Sequence, residues 1–133
     1  MNKTILSLSL LFMINISESK ELIISKKTQT FILRDEQGLV IKTGKVSTGK
    51  HGHETPSGQF VIRSKDKYAF SNRYKSKMYN ALFFQSKEYA IHRGHIPDNH
   101  TPISHGCVRV SYSDSEFLFD NVSIGTTLLI KNK

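Results

Sequence analysis

The chain has one cysteine, Cys107, among 133 residues, which excludes a disulfide framework within a single molecule. Proline and glycine are also scarce, at three and eight residues, against 38% hydrophobic and 23% charged residues. This balance excludes collagen-like, coiled-coil and wholly disordered chains. Acidic side chains are outnumbered 11 to 19 by lysine and arginine, giving a formal net charge of +8 and a pI near 9.7. A basic surface favours anionic partners such as nucleic acid, anionic lipid or an acidic polymer, without choosing among them. Beyond Ile16 no apolar run is long enough for a transmembrane helix. The length fits one domain.

The first nineteen residues have the layout of a signal peptide. Lys3 gives a positive start, Thr4 to Ile16 is uncharged and leucine-rich, and Ser17 and Ser19 place small residues at −3 and −1 of a cleavage after Ser19. The thirteen-residue run is too short to span a bilayer comfortably. A buried N-terminal helix or a monotopic anchor is the competing reading. The expected organisation is a signal peptide at 1–19 and one domain at 20–133, exported to the periplasm or cell envelope. The remaining 114 residues keep the +8 charge and bury about two thirds of their unfolded surface, enough for a core without disulfides. Export argues against a nucleic-acid partner.

From Glu21 onward short β-rich runs alternate with turn signals. Strands are expected at Glu21–Ser25, Gln29–Leu33, Leu39–Ser47, Gly58–Ser64, Ala81–Gln85, Tyr89–His92, Val108–Val110 and Thr126–Ile130. Asp35-Glu36-Gln37-Gly38 reads as the turn of a hairpin, with Gly38 free to take positive φ. Ser113 and Glu116 have capping-box spacing ahead of Phe117, Leu118 and Phe119, and Gly125 marks the exit of that short helix. The pattern is that of a single-domain, mainly β, sandwich-like fold. Residues 63 to 80 differ: Arg63, Lys65, Lys67, Arg73, Lys75 and Lys77 interleave with Tyr68, Phe70, Tyr74 and Tyr79. They read as a solvated loop, or as a rim that attracts carboxylates and stacks on sugar faces. A nucleic-acid surface would look similar.

Chemistry concentrates between His92 and Arg109, which hold four of the six histidines and the cysteine. A lone cysteine in an exported chain is either a buried hydrophobe or a reactive thiol, and a nearby imidazole can activate it. His105 lies two positions before Cys107, about 7 Å away along an extended strand and beyond hydrogen-bond reach. His92 can reach the sulfur from a neighbouring strand. Gly106 lets a substrate carbonyl approach the backbone, where the Gly106 and Cys107 N–H groups would hold an oxyanion. Arg109 shares a strand face with Cys107 and would bind a carboxylate or carbonyl. Ser104 would orient an imidazole or cap a turn. His95 and His100 read as loop residues. A zinc site drawn from His92, His95, His100, His105 and Cys107 is a rival, though the spacings match no common zinc motif.

Ser104-His105-Gly106-Cys107 followed by Val108-Arg109 resembles the signature of L,D-transpeptidases with the YkuD-type catalytic domain. Ile91-His92 upstream, Val46-Ser47-Thr48-Gly49-Lys50, Thr55-Pro56-Ser57-Gly58-Gln59-Phe60 and Gly125-Thr126 match in the same order, so the resemblance runs from about Glu21 to Ile130. It implies mixed sheets with one or two short helices, Cys107 as nucleophile and His92 as proton acceptor and donor. Ser104, His105, Gly106 and Arg109 would shape the site and its oxyanion hole. Arg93 stands where glycine is often found, the His92–Ser104 loop is at the short end, and no separate wall-binding module is expected. Arg93 and Tyr79 are the expected substrate-binding side chains. The implied reaction acts on peptidoglycan stem peptides through a thioester, releases D-alanine and forms 3→3 cross-links, with no metal or organic cofactor and with the chain as a monomer. Hydrolysis of the same bond, a non-enzymatic glycan-binding module and a zinc hydrolase are the alternatives.

Overall fold

A computed structural model of the protein describes residues 20–86 and 88–133. The expected signal peptide lies outside the described residues. Nine strands and one helix follow in the order β1 (Glu21–Ser25), β2 (Thr30–Arg34), β3 (Val40–Ser47), β4 (Gly58–Val61), β5 (Ser64–Ser71), β6 (Ser76–Gln85), β7 (Tyr89–Arg93), β8 (Val108–Val110), α1 (Tyr112–Asn121) and β9 (Thr127–Lys131). They form one mixed sheet of order β4-β9-β1-β2-β3-β8-β7-β6-β5. The mainly β expectation holds, with one helix among the described residues.

β1, β2 and β3 form an antiparallel meander. Its second turn is tied by Asp35, whose carboxylate accepts from the Gln37 and Leu39 N–H groups, both at 2.9 Å. Gly38 takes φ +84° there. β9 returns beside β1 in parallel, and β4 lines β9 antiparallel. The far end of β3 leaves β2 and pairs with β8, so β3 belongs to both halves of the sheet. β8 lies parallel to β7, and β7, β6 and β5 complete the second half antiparallel.

The expected strand Gly58–Ser64 is divided. At Ile62 and Arg63 the chain leaves one sheet margin for the other: the Ile62 N–H donates to the Thr126 carbonyl (2.9 Å) and the Arg63 N–H to the Phe83 carbonyl (2.7 Å). Residues 63 to 80 then form the β5–β6 hairpin and not a solvated loop. Much of its surface is exposed and charged, so polarity masks the alternation that marks a strand. Lys65 is not a rim cation either. Its ammonium donates to the Phe119 carbonyl and, at 2.9 Å, to the Val122 carbonyl, closing the C-terminal end of α1.

Strand periodicity builds the core. Leu22 and Ile24, Phe31 and Leu33, Leu128 and Ile130, Leu82 and Phe84, Ile91, Val108 and Val110 meet in one cluster, joined by Leu118 and Val122. Each such burial contributes about 1.5–3 kcal/mol before entropy is counted. The alternate residues of the second half, Ala81, Phe83 and Ala90, form a smaller cluster with Ala69 and Met78, and Cys107 packs against it. The helix begins earlier than the Ser113–Glu116 spacing suggests. Ser111 is the N-cap, its hydroxyl accepting from the Asp114 N–H at 3.2 Å. Ser111 and Asp114 have the same serine-to-acid spacing two residues earlier, directly after β8 ends.

Ser111→Ala is therefore expected to cost about 1 kcal/mol of stability, and Ser113→Ala, at an exposed position, no more than about 0.5 kcal/mol. Urea midpoints of the two variants check the assignment; the reverse order would restore Ser113 as the cap.

Candidate active site

Parallel strands require a crossover of roughly a dozen residues or more. Between β7 and β8 that crossover is an irregular segment, Gly94 to Cys107, which returns the nucleophile candidate to the strand next to His92. The register pairs Ile91 with Val108 and His92 with Arg109. Ile91 and Val108 enter the core, so the pleat turns Ala90, His92, Cys107 and Arg109 to the opposite face. Arg109 lies directly beside His92, and Cys107 is its diagonal neighbour. Together with Ser104, His105 and Tyr89 they line a cleft of about 900 Å³, whose far wall includes Ala69 and Met78 of the β5–β6 hairpin.

The upstream sequence blocks hold this segment in place. The Ser104 N–H donates to the Thr48 carbonyl (3.1 Å), and the Lys50 N–H to the Ser104 carbonyl (2.9 Å). Ser47 Oγ donates to the Thr101 carbonyl (2.9 Å) and accepts from the Ile103 N–H (3.1 Å). Thr55 is fully buried; its Oγ1 donates to the Gly106 carbonyl (2.7 Å) and accepts from the Gly49 N–H (2.9 Å). Gly106 itself has φ +129°, and a Cβ there would lie 2.8 Å from Tyr89 Cε1. Both the backbone angle and the Tyr89 ring demand glycine.

Ser104 is committed to the backbone rather than to an imidazole. Its hydroxyl accepts from the Gly106 N–H at 3.1 Å and donates to the Cys107 carbonyl. The Gly106 N–H is thus already engaged, which corrects its expected place in an oxyanion hole. The His105 and Cys107 N–H groups make no turn or side-chain hydrogen bond among the described residues.

His92 is nearly buried, and its Nδ1 lies 2.7 Å from the Arg93 carbonyl oxygen. A carbonyl only accepts, so Nδ1 carries the proton and Nε2 presents its lone pair. Burial holds the imidazole below its ordinary range, and the Arg109 charge adds to that effect against the Arg93 carbonyl. Burial also pushes the Cys107 thiol up, while a hydrogen bond with the Ala90 backbone and the Arg109 charge oppose it. At neutral pH the pair rests as thiol and neutral imidazole.

The other expected residues divide. His105 is exposed at the cleft mouth, where Tyr74 stacks on it with centroids 4.7 Å apart and His53 meets it edge-on at 5.2 Å. Arg93 and Tyr79 do not line the cleft, nor do His95 and His100. Arg93 follows His92 by one pleat step and so projects from the other face of the strand. Among the described residues no group of three or more histidine, cysteine or acidic side chains is placed to hold a metal ion. Thr55 and Tyr89 are the residues that sequence reasoning assigned no role; Tyr74 figured there only as one aromatic of the 63–80 rim. Thr55 had a signal, its place in the Thr-Pro-x-Gly block; Tyr89 had none.

A model of the L,D-transpeptidase catalytic domain family, YkuD, matches residues 19–130. The fold is similar to an L,D-transpeptidase from Xylanimonas cellulosilytica (27% identity, TM-score 0.73, covering 87% of this chain and 62% of that one). It is similar to one from Stackebrandtia nassauensis (25%, TM-score 0.78, 85% and 55%). It also matches LD transpeptidase LdtMt1 in complex with imipenem (22%, TM-score 0.80, 85% and 59%). The chain spans less than two thirds of the length of these structures. No curated protein matches it.

Alkylation of Cys107 by iodoacetamide should accelerate steadily up to and past pH 9.0, the ordinary thiol value that burial here exceeds. A rate plateau at neutral pH would show instead a thiolate–imidazolium pair. Thr55→Val leaves the Gly106 carbonyl and the Gly49 N–H unpaired in the interior and should cost about 1–3 kcal/mol. Thr55→Ser should restore most of it, as read from urea midpoints.

Proposed function

The chain belongs to the L,D-transpeptidase catalytic domain family, and we propose on that premise that it cross-links peptidoglycan stem peptides with Cys107 as nucleophile and His92 as general base and acid. The observation that carries this reading is the β7–β8 register, which sets both side chains on one face with His92 Nε2 unprotonated.

The resting pair is neutral, so proton transfer accompanies attack. His92 Nε2 takes the thiol proton as Sγ adds to the carbonyl of the third stem residue. Negative charge gathers on the carbonyl oxygen, where the His105 and Cys107 backbone N–H groups stabilise it. As the intermediate collapses, the imidazolium gives its proton to the leaving amine and D-alanine departs. The acyl group remains on Cys107 as a thioester. An amine from a second stem then loses a proton to Nε2 as it attacks, and the thiolate leaves and recovers that proton. Water in place of the amine yields a shortened stem and no cross-link. Arg109, beside His92, holds a substrate carboxylate, in keeping with the net charge of +8. No step calls on a metal or organic cofactor. The protein acts as an exported monomer in the periplasm or cell envelope. Among its described residues no helix is long and apolar enough to cross a membrane.

Incubation with a disaccharide-tetrapeptide followed by mass spectrometry should yield dimers and free D-alanine. Cys107→Ala should abolish both, and His92→Gln should slow acylation by about 10²–10⁴-fold. Tripeptide without dimer would assign hydrolysis, and an unchanged tetrapeptide with no acyl-enzyme would overturn the reading. For acylation, kcat/KM should fall as pH drops below 6.5, with a midpoint below that ordinary imidazole value, because protonated His92 cannot accept the thiol proton. Imipenem, present in the LdtMt1 structure, should form a covalent adduct on Cys107.

A further inference from the structure

The β5–β6 hairpin has two faces. Ala69 and Met78 pair across it and line the cleft. The alternate pairs, Tyr68 with Tyr79 and Phe70 with Lys77, stand on the other face and have no part in the chemistry above. Tyr68 and Tyr79 meet edge to face at 5.9 Å. The Lys77 ammonium lies 5.6 Å from the Tyr79 ring centre and the Arg93 guanidinium 5.8 Å from it. Arg93 also lies over the Tyr112 ring at 4.4 Å. A continuous strip results: Tyr112, Arg93, Tyr79, Tyr68, then Phe70 with Lys77. Phe70 also reaches the rim of the cleft. Successive steps along the hairpin are about 7 Å apart, two residues of strand rise.

The strip is open and its cations are available. Tyr68 is 74% exposed, Tyr112 58% and Phe70 54%. Among the described residues the ion pairs are Lys42 with Asp114 and His51 with Glu54, so Lys77 and Arg93 face no carboxylate. Asp66, the acid within the hairpin, turns its carboxylate back to the Tyr68 N–H at 3.0 Å. A guanidinium stacked on aromatic rings keeps its edge N–H groups free for a carboxylate. Exposed tyrosines offer an apolar face and a hydroxyl together, which suits a ring with one C–H face and polar edges.

Four aromatic rings to two cations is the wrong ratio for a polyphosphate, which needs a cation at nearly every repeat. It suits a polymer of sugar rings with carboxylates spaced along it. We infer that this strip binds an amino-sugar polysaccharide whose peptide branches carry the carboxylates, and leads those branches over Phe70 into the cleft. The inference rests on the proposed function for the identity of the sugar, but not for the existence of the surface.

The test uses the protein carrying Cys107→Ala, so that binding is read without turnover. The probe is fluorescently labelled glycan strands of alternating N-acetylglucosamine and N-acetylmuramic acid, freed of stems by amide hydrolysis, so that one lactyl carboxylate per disaccharide stands in for the carboxylates of the missing stem. Tyr68→Ala with Tyr112→Ala should raise the Kd about tenfold, the effect of roughly 1.4 kcal/mol in stacking. Tyr68→Phe with Tyr112→Phe should stay near the parent value. Lys77→Gln should weaken binding at low salt and little at high salt. Equal urea midpoints for all variants exclude a folding defect. The inference is overturned if the double alanine variant binds strands as tightly as the parent. It is equally overturned if single-stranded DNA binds as tightly as glycan and is indifferent to the tyrosines, which would make the strip a general polyanion surface. Binding of strands by a protein that fails to process tetrapeptide would sink the proposed reaction and leave this surface standing.

Discussion

The parallel pairing of β7 with β8 is the constraint on which the site depends. Antiparallel neighbours can be joined by two residues, whereas parallel ones oblige the chain to travel back along its own length. Here the returning segment forms no helix and fastens to its surroundings: Ser104 to the Thr48 and Lys50 backbone, Gly106 to the Thr55 hydroxyl. Pleating does the rest. With Ile91 and Val108 drawn into the core, Cys107 and His92 have no freedom to face different ways.

The same burial that fixes these side chains sets their protonation. A thiolate and an imidazolium in this largely buried position would each have to surrender part of their hydration, and the Arg109 charge disfavours a second cation beside it. The resting pair is consequently neutral and unreactive toward stray electrophiles. In the proposed reaction, nucleophilicity arises when a substrate carbonyl arrives and the proton can move. A thiol that is quiet in the absence of substrate suits the exported setting proposed above, since an exposed thiolate oxidises readily.

Much of this was legible in the residues. The strands of the first half announce themselves because Phe31 and Leu33, and Leu128 and Ile130, alternate with partly exposed neighbours, while β1 carries the apolar run Leu22 to Ile24 and is buried from Leu22 to Ser25. Val108–Val110 was readable to the residue. The β5–β6 hairpin was not legible apart from Ala81–Gln85, the second half of β6. Lys67, Tyr68, Phe70 and Lys77 are all exposed, so no hydrophobic period distinguishes strand from loop. The helix start was ambiguous because Ser111 and Ser113 both precede an acid at capping distance. Arg93 was expected among the substrate-binding side chains; one pleat step after His92, it projects away from the cleft.

The passage of the chain through Ile62 and Arg63 carries a mechanical consequence. These two residues are hydrogen-bonded to Thr126 of one half and Phe83 of the other, while β3 spans both halves at the opposite side. The halves are therefore sewn together along two seams. Neither can loosen without pulling backbone from its counterpart, so heat or tension on one is felt by both. The hairpin tip, outside the seams, is left as the part that can breathe by itself.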